Sequence, residues 1–395
     1  MDKILAGRSN QRGKIGSILL YAERFPYRGS VLKVLLVVDH LGPGGSQRQI
    51  VNLATGLADA GHDVSIFTYH PDDHYGHVIQ QRKIRLVNVV KKGKLDFGAI
   101  LALRKLIKEG DFDVHCSYLF APSTYLLLAS LFEDSSKNIV SERASETIVP
   151  TWYKYVRKLL YRRARAIVAN SQHQSEFLKA KYRSLSDRFC VIFNGVKLSD
   201  FDVVKNERSV ESLNLLGVGK VSKTKNPVAL IEALHILKQE SDLKPRVTWL
   251  GQFEDRGGQR EYYERCNVIL ADYGLEDQWV WKGAVKDVPS YYPDIDLMVH
   301  ASYAEGFPNA ICEALASGTP VVASRVYDHP SIVGEDVQGY LFDPDDPAEL
   351  ATKIRRFVSL SSTERADMGR RARKTAEERF SNEVMVKKFI ELFRG

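Results

Sequence analysis

The sequence predicts an α/β protein built from two Rossmann-like, doubly wound domains. Three observations carry this expectation. The chain has 395 residues with an ordinary globular balance, 44% hydrophobic and 27% charged, which suits about two domains. Strand-like and helix-like segments alternate along most of it. That alternation restarts after the turn Asn194-Gly195. With 4 Trp, 18 Tyr and 17 Phe there is ample core material, and 27 Gly with 14 Pro is too little for low-complexity disorder.

The first series opens on the apolar run Leu32 to Val38, which ends in Asp39, His40 and the glycine loop Gly42-Pro43-Gly44-Gly45. A continuous apolar run of this length suits a buried parallel strand. Ser46 to Ala60 follows with helical spacing at Ile50, Leu53, Ala54 and Leu57, and Gly61 stops it before a strand at Asp63 to Thr68. Further strands are expected at Val114 to Leu119, Asn138 to Ser141, Ala166 to Asn170 and Phe189 to Phe193. The polar stretch Lys197 to Ser209 then interrupts the pattern. The second series runs from a strand at Ser212 to Gly217 through a helix at Pro227 to Lys238, a strand at Arg246 to Leu250 and a helix near Gln259 to Asp272. Strands at Trp279 to Trp281 and Asp296 to His300, a helix after Asn309 and a strand at Pro320 to Ala323 complete it. The expected divisions are an extension at 1–30, a first domain at 31–198, a second at 199–381 and a closing helix at 382–395. In such sheets ligands bind at the carboxyl ends of the strands.

Charge separates the halves. The net formal charge of +7 is the balance of a basic first half, residues 1–195, against an acidic remainder, so the first half is expected to face something anionic. Cys116, Cys190, Cys266 and Cys312 lie far apart with no CxxC pair, which indicates neither zinc nor a disulfide framework and suits a cytoplasmic protein. The longest apolar runs, such as Tyr125 to Phe132, are too short to span a bilayer.

Two clusters in the second series carry chemistry. Gly219-Lys220-Val221-Ser222-Lys223-Thr224-Lys225-Asn226-Pro227 runs from a strand end to a helix start. Backbone N–H groups and ammonium charges there make a phosphate or diphosphate site, although a solvated lysine loop has the same composition. The second cluster is Ser302-Tyr303-Ala304-Glu305-Gly306-Phe307-Pro308-Asn309, continuing to Glu313. Glu305 can accept hydrogen bonds from ligand hydroxyls, and Glu313, in a helix expected to be capped by Asn309, is placed for a vicinal diol such as a ribose. A glutamate near a helix N-terminus is also favourable on dipole grounds alone.

Together these residues resemble the retaining GT-B glycosyltransferases of family 4, whose hallmark is two glutamates separated by seven residues, here Glu305 and Glu313. Gly219-Lys220 with Lys225 resembles the family's phosphate loop. Glu313-Ala314-Leu315-Ala316-Ser317-Gly318-Thr319-Pro320-Val321-Val322-Ala323 is similar to the end of its donor domain, Gly44-Gly45-Ser46-Gln47-Arg48 to its Gly-Gly loop, and Asn194-Gly195-Val196 to its interdomain junction. The resemblance implies two domains facing across a cleft, a nucleotide sugar held mainly by the second, and a last helix that returns to the first. It further implies that Lys220 and Lys225 neutralise the departing diphosphate and that Glu313 holds the ribose. Glu305 and the backbone of Gly306, Phe307, Pro308 and Asn309 would hold the sugar, with Gly44 and Gly45 also on the donor. Catalysis would then fall to Lys220, Lys225 and Glu305, with no cofactor and no metal. UDP sugars are the commonest donors of such relatives. Lys220 stands where the family more often has Arg, and Val326-Tyr327-Asp328-His329-Pro330 replaces a glycine-rich loop.

On the acceptor side, Tyr118 and Arg143 are the candidates at strand ends, while His115 reads as a core histidine. The segment Trp152 to Arg165 is a basic amphipathic helix with no acid in it. Trp152, Arg157, Lys158, Arg162 and Arg163 would meet an anionic membrane surface, or the helix packs on the core and leaves a solvated basic face. The membrane alternative implies a lipid-linked saccharide acceptor at the inner face of the cell membrane. Against other classes, no G-x-G-x-x-G opens a helix after the first strand, which disfavours a nicotinamide oxidoreductase. No nucleic-acid motif accompanies the basic residues. A noncatalytic nucleotide-sugar binding protein differs from the enzyme only in turnover.

Overall fold

The computed structural model describes residues 30–93, 96–143, 151–203, 213–241, 243–253 and 258–395, and of 151–154 and 259 the backbone alone. Most of the expected extension at 1–30 thus lies outside the described residues. The chain forms two compact units, one running to Phe193 and including Met385–Gly395, the other Asn194–Val384. The boundary therefore falls at Phe193 and not at 198. Val196 donates to the Phe380 carbonyl at 2.8 Å and accepts from Asn382 at 2.8 Å, which ties the residues after Asn194 into the second unit.

The first unit carries β1 (Lys33–Val37), α1 (Gly45–Asp59), β2 (Asp63–Thr68), α2 (Gly76–Gln81), β3 (Arg85–Asn88), α3 (Phe97–Gly110), β4 (Val114–Tyr118), α4 (Phe120–Ala129), β5 (Asn138–Glu142), α5 (Thr151–Tyr161), β6 (Ala166–Ala169), α6 (Gln172–Lys181) and β7 (Phe189–Val191). Its sheet is parallel, in the order β3-β2-β1-β4-β5-β6-β7. Because strand side chains alternate, Val34 and Leu36 face α1, while Leu35 and Val37 face α3 and α4. Burying each such side chain contributes roughly 1.5–3 kcal/mol. Met385, Val386, Phe389, Ile390 and Phe393 of the last helix complete the core on the α1 side.

The second unit carries β8 (Asn214–Val218), α7 (Pro227–Glu240), β9 (Arg246–Leu250), α8 (Gln259–Tyr273), β10 (Trp279–Gly283), β11 (Leu297–His300), α9 (Asn309–Ser317), β12 (Val321–Ser324), α10 (His329–Ile332), β13 (Gly339–Phe342), α11 (Pro347–Ser359) and α12 (Ser362–Thr375); α13 (Asn382–Arg394) ends the chain. Its parallel sheet has the order β10-β9-β8-β11-β12-β13. The strand order reverses between β1 and β4 in one sheet and between β8 and β11 in the other, so each sheet has a switch point where two loops diverge.

β3 and β13 have no counterpart in the sequence expectation. Both are four-residue edge strands, too short to show a period. Asn309 is not the cap of α9. It is the first helical residue, Pro308 holds the cap position without a side-chain bond, and the Asn309 amide oxygen accepts from Asn194 at 2.8 Å.

Candidate functional site

In the second unit the residues singled out by sequence converge on the switch point between β8 and β11. The loop after β8 begins at Gly219, whose φ of +150° suits glycine, and packs so closely that an added Cβ would lie 2.9 Å from Lys225 Cδ. Gly251 supports it from below. A Cβ there would lie 1.9 Å from the Gly219 carbonyl oxygen, which already accepts from Trp249 Nε1 at 2.8 Å. The loop ends at Asn226, in the left-handed region at φ 50°, followed by Pro227 at the first turn of α7. Lys220 is exposed and Lys225 half-buried.

The loop after β11 meets it directly, for the Tyr303 N–H donates to the Thr224 carbonyl at 2.8 Å. Between them Glu305 Oε1 accepts from three side chains: Lys225 Nζ, His300 Nε2 at 2.8 Å and Ser302 Oγ at 2.9 Å. Burial alone would raise the Glu305 carboxyl, but the His300 hydrogen bond and the neighbouring His300 and Lys225 charges outweigh it and hold the group well below the usual carboxylate range. The carboxylate is therefore ionised and anchored, and Lys225 is fixed beside it. Glu313 lies in α9, buried. Phe307 is buried against Phe380, with ring centroids 6.2 Å apart, which fixes the Gly306 to Pro308 turn that leads into α9. Among the described residues, no group of three or more His, Cys, Asp or Glu could hold a metal ion.

In the first unit, Gly44 and Gly45 open α1, and an added Cβ on Gly44 would lie 2.2 Å from Gln47 Oε1. Gln47 Nε2 in turn donates to Asp39 Oδ1 at 3.0 Å. Tyr118, an acceptor-side candidate from the sequence, is wholly inaccessible. Its hydroxyl accepts from Arg143 at 3.0 Å, Arg143 lies over its ring, and Phe389 stacks on it. It is a packing residue, and Arg143 is buried with it.

The basic helix α5 also differs from expectation. Arg157 points inward, paired with Glu142 and donating to the Tyr161 hydroxyl at 3.2 Å. Arg163 donates to the Ser130 and Glu133 carbonyls, closing the end of α4. Arg157 is thus buried, and Arg163, half-buried, spends its guanidinium within the first unit. The exposed side consists of Tyr155 at 70% and Leu159 at 64% exposure with Val156, flanked by Lys158 and Arg162. The Trp152 side chain lies outside the described residues.

Known proteins place this architecture. Residues 43–200 match the model of glycosyltransferase family 4, and residues 200–375 that of the glycosyl transferases of group 1. The chain belongs to these GT-B glycosyltransferases. A Campylobacter jejuni α-1,4-N-acetyl-D-galactosaminyltransferase, named for a diNAcBac-PP-undecaprenol-linked acceptor, is 24% identical over 335 residues, covering 82% of this chain and 88% of its own. Among solved structures, a glycosyltransferase from Rickettsia africae superposes with a TM-score of 0.79 at 22% identity, over 93% of this chain and 98% of that one. Anabaena HepE in complex with UDP gives 0.78 at 21% identity, over 92% and 100%.

Within this glycosyltransferase the structure thus brings Lys225 and Glu305 into contact, sets Lys220 on the loop of Lys225, and carries Gly306 to Glu313 from the loop of Glu305 into α9. His300 and Ser302 were legible only as a strand end and its next polar residue. The signal that could have found them is spacing: a histidine closing an apolar strand, with a serine two residues on and a glutamate three beyond.

Proposed function

We propose that this glycosyltransferase moves a hexose or N-acetylhexosamine from a UDP sugar to a lipid-linked saccharide, with retention at the anomeric carbon and without a metal. The observation that carries the reading is the Lys225–Glu305 contact at the switch point. As the sugar departs, charge grows on the diphosphate oxygen, and a pre-oriented ammonium lowers that barrier without reorganising. Glu305 supplies the orientation. An oxygen that accepts from three donors is a weak base and a weak nucleophile, so Glu305 does not act as in a hydrolase. It takes sugar hydroxyls while Lys225 and Lys220 take the diphosphate and Glu313 the ribose. The Anabaena structure's UDP and the undecaprenol-linked acceptor named for the Campylobacter relative support the choice of donor and acceptor.

Titration calorimetry of UDP, GDP, ADP and NAD tests the donor side. UDP is expected to bind selectively, and Lys225→Ala to weaken it by about tenfold to a hundredfold, the worth of one charge-assisted contact. UDP binding indifferent to Lys225 would sink the assignment of the diphosphate site. Release of UDP from UDP sugars separates the enzyme from a noncatalytic binding protein.

The acceptor side rests on the helical layer α3 to α6. It exposes Phe97, Leu101, Phe132, Tyr155, Leu159 and Phe177 among basic residues, the composition that docks on anionic lipid at an inner membrane face. No described helix is long and apolar enough to cross a membrane. Tyr155→Ser with Leu159→Ser is expected to reduce cosedimentation with anionic vesicles severalfold. Equal sedimentation of variant and parent would remove α5 from the docking surface.

A further inference from the structure

Beside the Lys225–Glu305 contact lies a second buried histidine that the donor reading does not use. His329 begins α10, within the stretch Val326 to Pro330, and is wholly inaccessible. Its Nδ1 lies 2.8 Å from the Ser324 carbonyl oxygen. A carbonyl only accepts, so Nδ1 carries the proton and the bare nitrogen of the neutral ring is Nε2. That nitrogen is buried with no hydrogen-bond partner among the described residues. Burial, and then the charge of His300, push the ring down to about 3, so it is neutral at ordinary pH. A leucine would fill such a site without stranding a polar atom, so packing alone does not account for a histidine there.

The neighbour of His329 is His300. The two rings lie nearly edge to face, with centroids 5.2 Å apart and planes at 69°. His300 is itself buried and faces Glu305 Oε1 at 2.8 Å through Nε2. A carboxylate accepts, so His300 carries a proton on Nε2. Ser324 joins the two loops a second time, since its hydroxyl donates to the Ser302 carbonyl at 2.6 Å while its own carbonyl holds His329. His329, Ser324 and His300 thus stand in one connected line behind the Glu305 oxygen.

We propose that His329 is a positioning residue for sugar transfer: its ring holds the His300 ring in the orientation that anchors Glu305, and through Glu305 it sets Lys225. The inference rests on the reading of Lys225 as a diphosphate ligand. When the diphosphate draws Lys225 away, His300 and Ser302 remain to keep Glu305 in place.

The test compares wild type with His329→Leu in two measurements. In the histidine nitrogen-15 spectrum of the unliganded protein, which needs no substrate, Nε2 of His300 is expected to carry a proton. His329→Leu is expected to shift and broaden the His300 Nε2 signal as its contact with Glu305 loosens. In UDP-sugar turnover, the variant is expected to lose at least tenfold in kcat, with UDP affinity falling by less than in Lys225→Ala. Its melting temperature should stay close to that of wild type, because loss of the bond to the Ser324 carbonyl is offset by removal of the stranded nitrogen. An Nδ1–H form of His300 in the wild type overturns the proposal, even if no variant folds. So does a variant with full kcat, or one whose kcat falls only together with its melting temperature. Wild-type protein that turns over no UDP sugar would count against the transferase reading, and the change of the His300 signal in His329→Leu would still decide the role of His329.

Discussion

Arg157 and Glu142 show how one inward turn of a side chain changes what a residue is for. Arg157 is 8% and Glu142 3% exposed, so the pair is a buried one in which each charge depends on the other. Such pairs add little net stability but are costly to break. Arg157→Ala is expected to cost about 3–5 kcal/mol, read as a lowered urea midpoint, whereas Arg162→Ala on the exposed side should shift it by less than ~0.5 kcal/mol. Equal effects would mean that Arg157 is solvated. In sequence the two arginines look alike, since both lie in one basic helical run and the partner, Glu142, comes from a different strand. Glu305 and Lys225 were legible because their spacing and loop chemistry are local. Their contact was not, because it joins residues 80 positions apart. Tyr118 misled for the opposite reason: a strand-end tyrosine reads as accessible, and only the packing of Phe389 shows that it is covered.

Among the elements, the loop after β8 depends on a glycine it does not contain. Gly251 closes β9 at φ +153°, and its missing side chain is the space occupied by the Gly219 carbonyl. Gly251→Ala is expected to destabilise the protein by roughly 1–3 kcal/mol through backbone strain and overlap, and to weaken UDP binding more than an alanine at exposed Gly258. Urea unfolding and calorimetry read the two effects separately. Unchanged UDP affinity in the Gly251 variant would show that the loop re-forms without this support. The central strands were legible from their apolar runs, since a strand buried on both faces has no polar side to confuse the pattern. β3, whose residues are exposed or half-buried, and β13, entered through Gly339 at φ +156°, lacked that signal. Both are short edge strands whose place is set by tertiary pairing. The start of α9 was misread by one residue because Asn309 suits a cap, while here its side chain is taken by Asn194.

For the whole molecule, acid sensitivity follows from buried neutral histidines. Burial is the leading cause that lowers His329, His115 and His62 below their ordinary 6.5. Between that value and the folded one, the unfolded chain binds protons that the folded chain refuses, so stability is full above about pH 6.5 and falls as pH drops. For His329, held at about 3, the loss is on the order of a few kcal/mol by pH 3. Glu305, depressed from 4.5, adds a loss of the same sign below that pH. The urea midpoint should decline from pH 7 to pH 5, and a flat profile would mean that these rings are hydrated. The closing helix makes a second global claim. Phe389 is wholly buried in the first unit's core, and Phe389→Ala is expected to cost about 3–5 kcal/mol, although it lies within a few residues of the chain's end. An unchanged urea midpoint would show that the core re-forms without that ring.

The indole of Trp249 spends its one N–H on the Gly219 carbonyl and lies against Trp279 and Trp281, ring centroids 5.9 and 6.0 Å away. Three of the chain's 4 tryptophans are therefore gathered beneath the loop that carries Lys220 and Lys225. Any ligand that shifts that loop must alter the polarity felt by the excited indole, and the protein carries its own optical gauge of occupancy. Ultraviolet emission should move on addition of UDP, and in Lys225→Ala only at about tenfold to a hundredfold higher UDP, so that binding can be followed by light alone, without label or acceptor.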